Sequence, residues 1–172
     1  MPEKEADEAK QRAIDQITRA FDGVSREDGV SLHEAIALDD YATPAQRAAA
    51  RALDTETRWQ DVPDEDIEHG ELALCFFDPT AFRYYLPAYM IWSLRNSQTD
   101  QFHMARSLIF HLSLSLSRHP EYKLSRFRAL TPEQSAAVCS FLRYTATRID
   151  KRYAERAHQA LNGHWSEFYP GQ

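Results

Sequence analysis

An all-α fold is predicted for this 172-residue chain, a single compact helical domain with about six to eight helices around a Pro-kinked central helix. Three observations carry the expectation. Apolar residues recur at three- and four-residue spacing in the long apolar segments. Several of those segments open on a capping signal followed by proline or by Glu or Gln. No segment pairs an alternating apolar pattern with an evident partner strand.

The first helix is expected from about Glu3 to Phe21, where Ala6, Ala9, Ala13, Ile14, Ile17 and Phe21 form one narrow stripe. Asp22-Gly23 stops it, because glycine enters the left-handed region freely. Ser31 caps a short helix to about Leu38, with Glu34 completing a capping box. Thr43 caps the next, and Pro44 fits its first position ahead of the strong helix former AQRAAARAL. Residues 54–71 are the most acidic stretch and read as a surface connection anchored by Trp59 and Val62. Within it Asp64 is expected to cap one further turn that ends at Gly70.

Asp78-Pro79 opens the central helix. Phe82, Leu86, Tyr89, Met90 and Leu94 share one face, which Tyr85, Ile91 and Trp92 widen. Pro87 cannot donate to the carbonyl of Arg83, so a kink or break is expected between Arg83 and Leu86. A second long helix is expected from Asp100 to about Leu116. The alternation in LSLSLS makes a strand the rival reading for Leu112–Ser117. His119-Pro120 ends that helix. Thr131-Pro132-Glu133-Gln134 starts the last one, expected to run unbroken to about Leu161. Trp165, Phe168 and Tyr169 beyond it are too apolar to stay free and are expected to dock in part.

The chain is 43% apolar with five glycines, which excludes a collagen-like or wholly disordered polymer. Residues 1–172 are read as one domain with two parts, an acidic part at 1–70 and an apolar, mildly basic part at 71–172. The net charge of −6 divides into −10 for the first part and +4 for the second. No apolar run is long enough to span a membrane, and MPEKEADEAK lacks a leader pattern, so a cytoplasmic location is expected. Cys75 and Cys139 lie among apolar residues and read as buried thiols.

The familiar signatures of chemistry are missing. The seven histidines form no HExxH or HxxxH pattern, so no metal site is expected. There is no GxSxG, GxGxxG or GxxxxGK, so neither catalytic residues nor a cofactor are assigned. Arg83 is the most informative residue. A cation inside a core helix needs a partner, and Asp54, Glu56, Asp61 or the carbonyls freed by Pro87 are the candidates. Arg83 reads either as an internal brace or as the polar spot of a ligand pocket with Tyr84, Tyr85, Tyr89 and Trp92. Two charged faces are candidate partner surfaces: Asp61, Asp64, Glu65, Asp66 and Glu68, and on the last helix Arg148, Lys151, Arg152 and Arg156.

The block WxxxPxxxI…LxxxDPxAFRYYLPAYM, at Trp59, Pro63, Ile67 and Leu74–Met90, resembles a family of small bacterial proteins of unknown function. The likeness runs from about Leu32 to Leu142 and includes the stretch from Leu130. AFRYYLPAYM is its specific segment. The resemblance implies a bacterial, cytosolic, helical protein and brings no catalytic residue with it.

The leading functional expectation is a non-enzymatic protein-interaction module, immunity- or antitoxin-like or regulatory, whose acidic part masks a basic partner surface. A small-molecule or enzymatic pocket at Arg83, Tyr84 and Tyr85 is the alternative. Nucleic-acid binding by the basic last helix is a further alternative, disfavoured by the acidic balance.

Overall fold

The computed structural model describes residues 2–96, 102–115 and 117–168. Among them are nine α-helices, three short 3-10 helices and no strand. The central element is α5 (Pro79–Arg95), which packs against α1 (Pro2–Ala20), α4 (Asp64–His69), α6 (Phe102–His111), α7 (Pro120–Arg128) and α8 (Pro132–Ala146). The remaining helices are α2 (Leu32–Asp39), α3 (Pro44–Arg51) and α9 (Lys151–Asn162).

Local capping chemistry explains where most of these begin. Ser31 with Glu34, Thr43 with Gln46 and Thr131 with Gln134 each form a reciprocal capping box. Asp78 caps α5 through the amides of Thr80 and Ala81, and its second oxygen accepts from Val30 N at 2.7 Å. One side chain thus starts the core helix and holds the loop before α2. Asp64 departs from expectation: Pro63 occupies the cap and Asp64 is the first helical residue. Its carboxylate still suits the positive helix end without bonding to it.

Burial follows the predicted stripes. Ile17, Phe21, Phe82, Leu86, Tyr89, Met90 and Leu142 are all fully enclosed, and Trp59 and Val62 are buried as anchors. The indole of Trp59 donates to Phe21 O at 2.8 Å, which ties the acidic connection to the end of α1. α5 remains one helix through Pro87 rather than dividing there.

Three boundaries differ from expectation, each for a long-range reason. α6 stops at His111 instead of continuing to 116. The buried ammonium of Lys123 takes the carbonyls of Phe110 and Ser113, and Trp165 Nε1 takes Leu112 O at 2.8 Å. Those acceptors are therefore satisfied without a further helical turn. Leu116 lies outside the described residues. His119-Pro120, expected only to end the preceding helix, instead opens α7 over residues 120–128, with Pro120 in its first turn. The last helix is two helices, because Asp150 caps α9 afresh through Tyr153 N and pairs with Arg106 at 2.9 Å.

The tail docks as expected at Trp165, which is fully buried against Phe127 with ring centroids 4.6 Å apart. Phe168 packs partly on the core, and Tyr169 lies outside the described residues. Cys139 is buried, but Cys75 is exposed, contrary to the reading of both as core thiols. Cys75 ends a 3-10 helix (Glu71–Cys75) that keeps Ala73 and Leu74 inside and turns Leu72 and Cys75 outward.

Candidate functional site

The segment at Arg83 is built into the core. Arg83 is half-buried, and its Nε donates to Gln134 Oε1 at 3.0 Å. Gln134 also accepts from Thr131 N and donates to Ala20 O. Arg83 thereby joins α5 to the cap of α8 and the end of α1. Its partner is an amide rather than any of the carboxylates expected.

Those carboxylates serve other groups. Arg26 donates to Tyr85 Oη at 2.9 Å and to Asp54 O, and lies 3.6 Å from Glu56. The Tyr85 hydroxyl also accepts from Leu32 N and donates to Glu56 Oε1 at 3.2 Å. The buried carboxylate of Asp54 accepts from His33 Nδ1 at 2.6 Å and from His33 N. Asp61 lies 4.0 Å from Arg58 on the surface. Arg26 carried no local signal in the sequence, because its partners come from two distant segments, 54–56 and Tyr85.

Tyr84, Tyr85 and Tyr89 have no exposed surface. Burial raises all three phenol pKa values; the Tyr85 and Tyr89 hydroxyls act as neutral hydrogen-bonding groups, while that of Tyr84 is buried with no hydrogen-bond partner among the described residues. Tyr89 donates to Gly70 O at 2.6 Å, and a Cβ at Gly70 would stand 2.7 Å from that hydroxyl. Tyr85 stacks on Phe77 with centroids 4.8 Å apart.

Trp92 separates from this group and faces a different feature. A recess of about 160 Å3 opens between α1, α4, α5 and the residues before α4. Trp59, Val62, Ile67, Ile91 and Trp92 give it apolar walls. Asp64 and Arg95 stand at its edge, both exposed and neither with an ion-pair partner among the described residues. Asp64 also belongs to the acidic face, where Asp61 and Glu65 are exposed and Glu68 is half-buried. Asp66 turns inward, its carboxylate 3.8 Å from His33 Nε2. The recess therefore joins Asp64 and Trp92, which the sequence had placed in separate sites.

The second charged face is less regular than expected. Arg148 sits in the turn before α9, with its guanidinium 5.8 Å from the Tyr144 ring. Lys151 and Arg152 are exposed, and Lys151 lies 4.0 Å from Glu155. Arg156 is half-buried over the Tyr153 ring at 5.0 Å, and Arg106 covers the same ring at 5.1 Å. No three His, Cys, Asp or Glu side chains among the described residues are placed to share a metal ion.

A family of unknown function (DUF6714) matches residues 9–169. The chain belongs to that family. The match takes in both α4 and α5, and so every wall of the recess, together with the caps of α2, α3 and α8. No curated protein and no solved structure matches the chain. Among the described residues no helix of this family member is long and apolar enough to cross a membrane.

Proposed function

We propose that this DUF6714 protein is a non-enzymatic interaction module that receives a basic segment of another protein along its acidic face. The observation carrying this reading is the recess beside Asp64, where an apolar pocket meets an exposed carboxylate with no ion-pair partner among the described residues. Its size favours one inserted side chain. At about 160 Å3 it falls below the range of roughly 300–1,000 Å3 usual for small-molecule sites. An aliphatic or aromatic anchor fills the pocket, while cations beside it meet Asp61, Asp64 and Glu65. In the concrete form we favour, the protein works in the bacterial cytoplasm as an immunity- or antitoxin-like or regulatory protein that covers a basic surface.

Affinity capture from native lysate tests this, using wild type and the Asp64→Lys/Glu65→Lys double variant at low and high salt. A partner retained by wild type, released by salt and lost by the double variant is the expected result. Capture of no specific partner, or of the same partner by both proteins, overturns the reading.

A further inference from the structure

Tyr41 is one of two non-glycine residues with positive φ among the described residues, the other being Glu27. Tyr41 follows α2 with φ +55°, in the left-handed region that side chains avoid. Its amide donates to Leu38 O at 3.2 Å, and Ala42 N donates to Ala37 O at 3.0 Å. These are the two bonds of a Schellman ending, in which glycine is the usual residue at this position. Tyrosine here keeps the strain and gains little inside the molecule, since its side chain is 96% exposed. Asp39 and Asp40 precede it, so the projection is aromatic and acidic.

A complementary patch borders it. Leu72 and Cys75 stand three residues apart on a 3-10 helix, a spacing that aligns their side chains. The Tyr122 hydroxyl lies 3.0 Å from Phe77 O and 3.3 Å from Cys75 O, and His111 Nε2 lies 3.8 Å from the Cys75 thiol, next to Phe110. Leu72, Phe110 and Tyr122 are 58%, 43% and 44% exposed. Two buried cations lie beneath them. The Lys123 ammonium is 4.1 Å from the Phe110 ring centre, and the Arg126 guanidinium is 4.2 Å from that of Tyr122. Neither has a carboxylate partner among the described residues, and Arg126 Nε and His111 Nδ1 are buried without any hydrogen bond. The patch is therefore apolar and aromatic above two basic side chains held by carbonyls and rings. α2 packs on the 71–75 helix, so the projection that follows α2 lies beside the patch.

We infer that the occupant of this patch is a second copy of the chain, with Tyr41, Asp39 and Asp40 of each copy seated on Leu72, Phe110 and Tyr122 of the other. A two-fold axis satisfies both contacts at once, because each copy presents the projection and its complement side by side. The aspartates bring negative charge over Lys123 and Arg126, and the tyrosine contributes a rigid aromatic anchor. The acidic face at Asp64 is not used.

Sedimentation equilibrium on the full chain tests the pairing, with Tyr41→Gly and Leu72→Glu as variants. The glycine variant suits the left-handed position, so its thermal midpoint stays level or rises and a loss of pairing is not a loss of fold. Wild type is expected to dimerise below about 100 μM, and each variant to weaken association at least about tenfold. A thiol-reactive maleimide gives a second readout, with Cys75 labelling slower at higher wild-type concentration and Cys139 as the buried control. A wild type that stays monomeric, pairing undiminished in Tyr41→Gly, or labelling independent of concentration overturns the inference.

Discussion

Two polar clusters flank α5, and they handle charge in opposite ways. Around Tyr85, Arg26 meets Glu56 and the His33 ring meets Asp54. A similar arrangement joins α2 to α3, where Glu34 takes Arg47 at 3.1 Å and Arg51 at 2.8 Å. Around Cys75, Lys123 and Arg126 are buried against carbonyls and rings with no carboxylate partner among the described residues. The acidic first part thus spends part of its carboxylates neutralising its own cations. The later part leaves two cations unbalanced. Removing a member of a matched set strands the others, whereas removing an unmatched buried cation relieves a desolvation cost.

The largest effect is expected from Arg26→Met. It leaves Glu56 without its cation and removes one of the two donors to the Tyr85 hydroxyl, and should cost about 3 kcal/mol in urea unfolding. A loss below about 1 kcal/mol would erase the contrast between the clusters.

Acid should come next. Burial, with Arg126 and Lys123 adding to it, lowers the His111 pKa to about 3. The unfolded chain therefore takes up a proton that the folded one refuses as pH falls from about 6.5 toward 3, and stability declines through that window. Burial pushes the Glu34 carboxyl up, but hydrogen bonds from Arg51, Arg47 and the Ser31 amide hold it below its ordinary value. Its contribution is present above the unfolded carboxyl range and is lost on further acidification. His111→Gln should flatten the upper part of the urea midpoint against pH, and Glu34→Gln the lower part. An unchanged profile in both variants would contradict the assignment.

Tyr41→Gly should stabilise the monomer by about 1 kcal/mol by relieving the left-handed strain. Thermal unfolding at low protein concentration measures it. The smallest change is expected for Arg126→Met, within about 1 kcal/mol of wild type. Cys75 O loses its Arg126 donor but stays 3.3 Å from the Tyr122 hydroxyl, whose nearer acceptor is Phe77 O at 3.0 Å. A loss as large as that of Arg26→Met would show that carbonyls and rings compensate a buried cation as well as carboxylates do.

What was legible in the sequence was local. Ser31, Thr43, Asp78 and Thr131 announce helices because a cap needs only residues two or three positions away. Apolar spacing likewise located the α5 core. The ends were less visible. Lys123 terminates α6 from the next helix, and Asp150 restarts α9 where a continuous stripe ran on. The acidic face was readable as a charge run, but its recess needs Trp92 from α5 beside Asp64 from α4. Arg26, and the bond of Gln134 to Arg83, escaped notice because the partners lie far apart along the chain. Tyr41 carried no glycine to mark its turn.

Trp165 has a consequence for biosynthesis. Its indole occupies the space beside Phe127 and bonds to Leu112 O, while Cys139 Sγ donates to Trp165 O at 3.5 Å. A nascent chain emerging from a ribosome can form α1 to α8 and still have a hole where this ring belongs. Its core closes only after residue 165 clears the exit tunnel. Until then the partly made protein offers chaperones an apolar cleft that the finished one conceals.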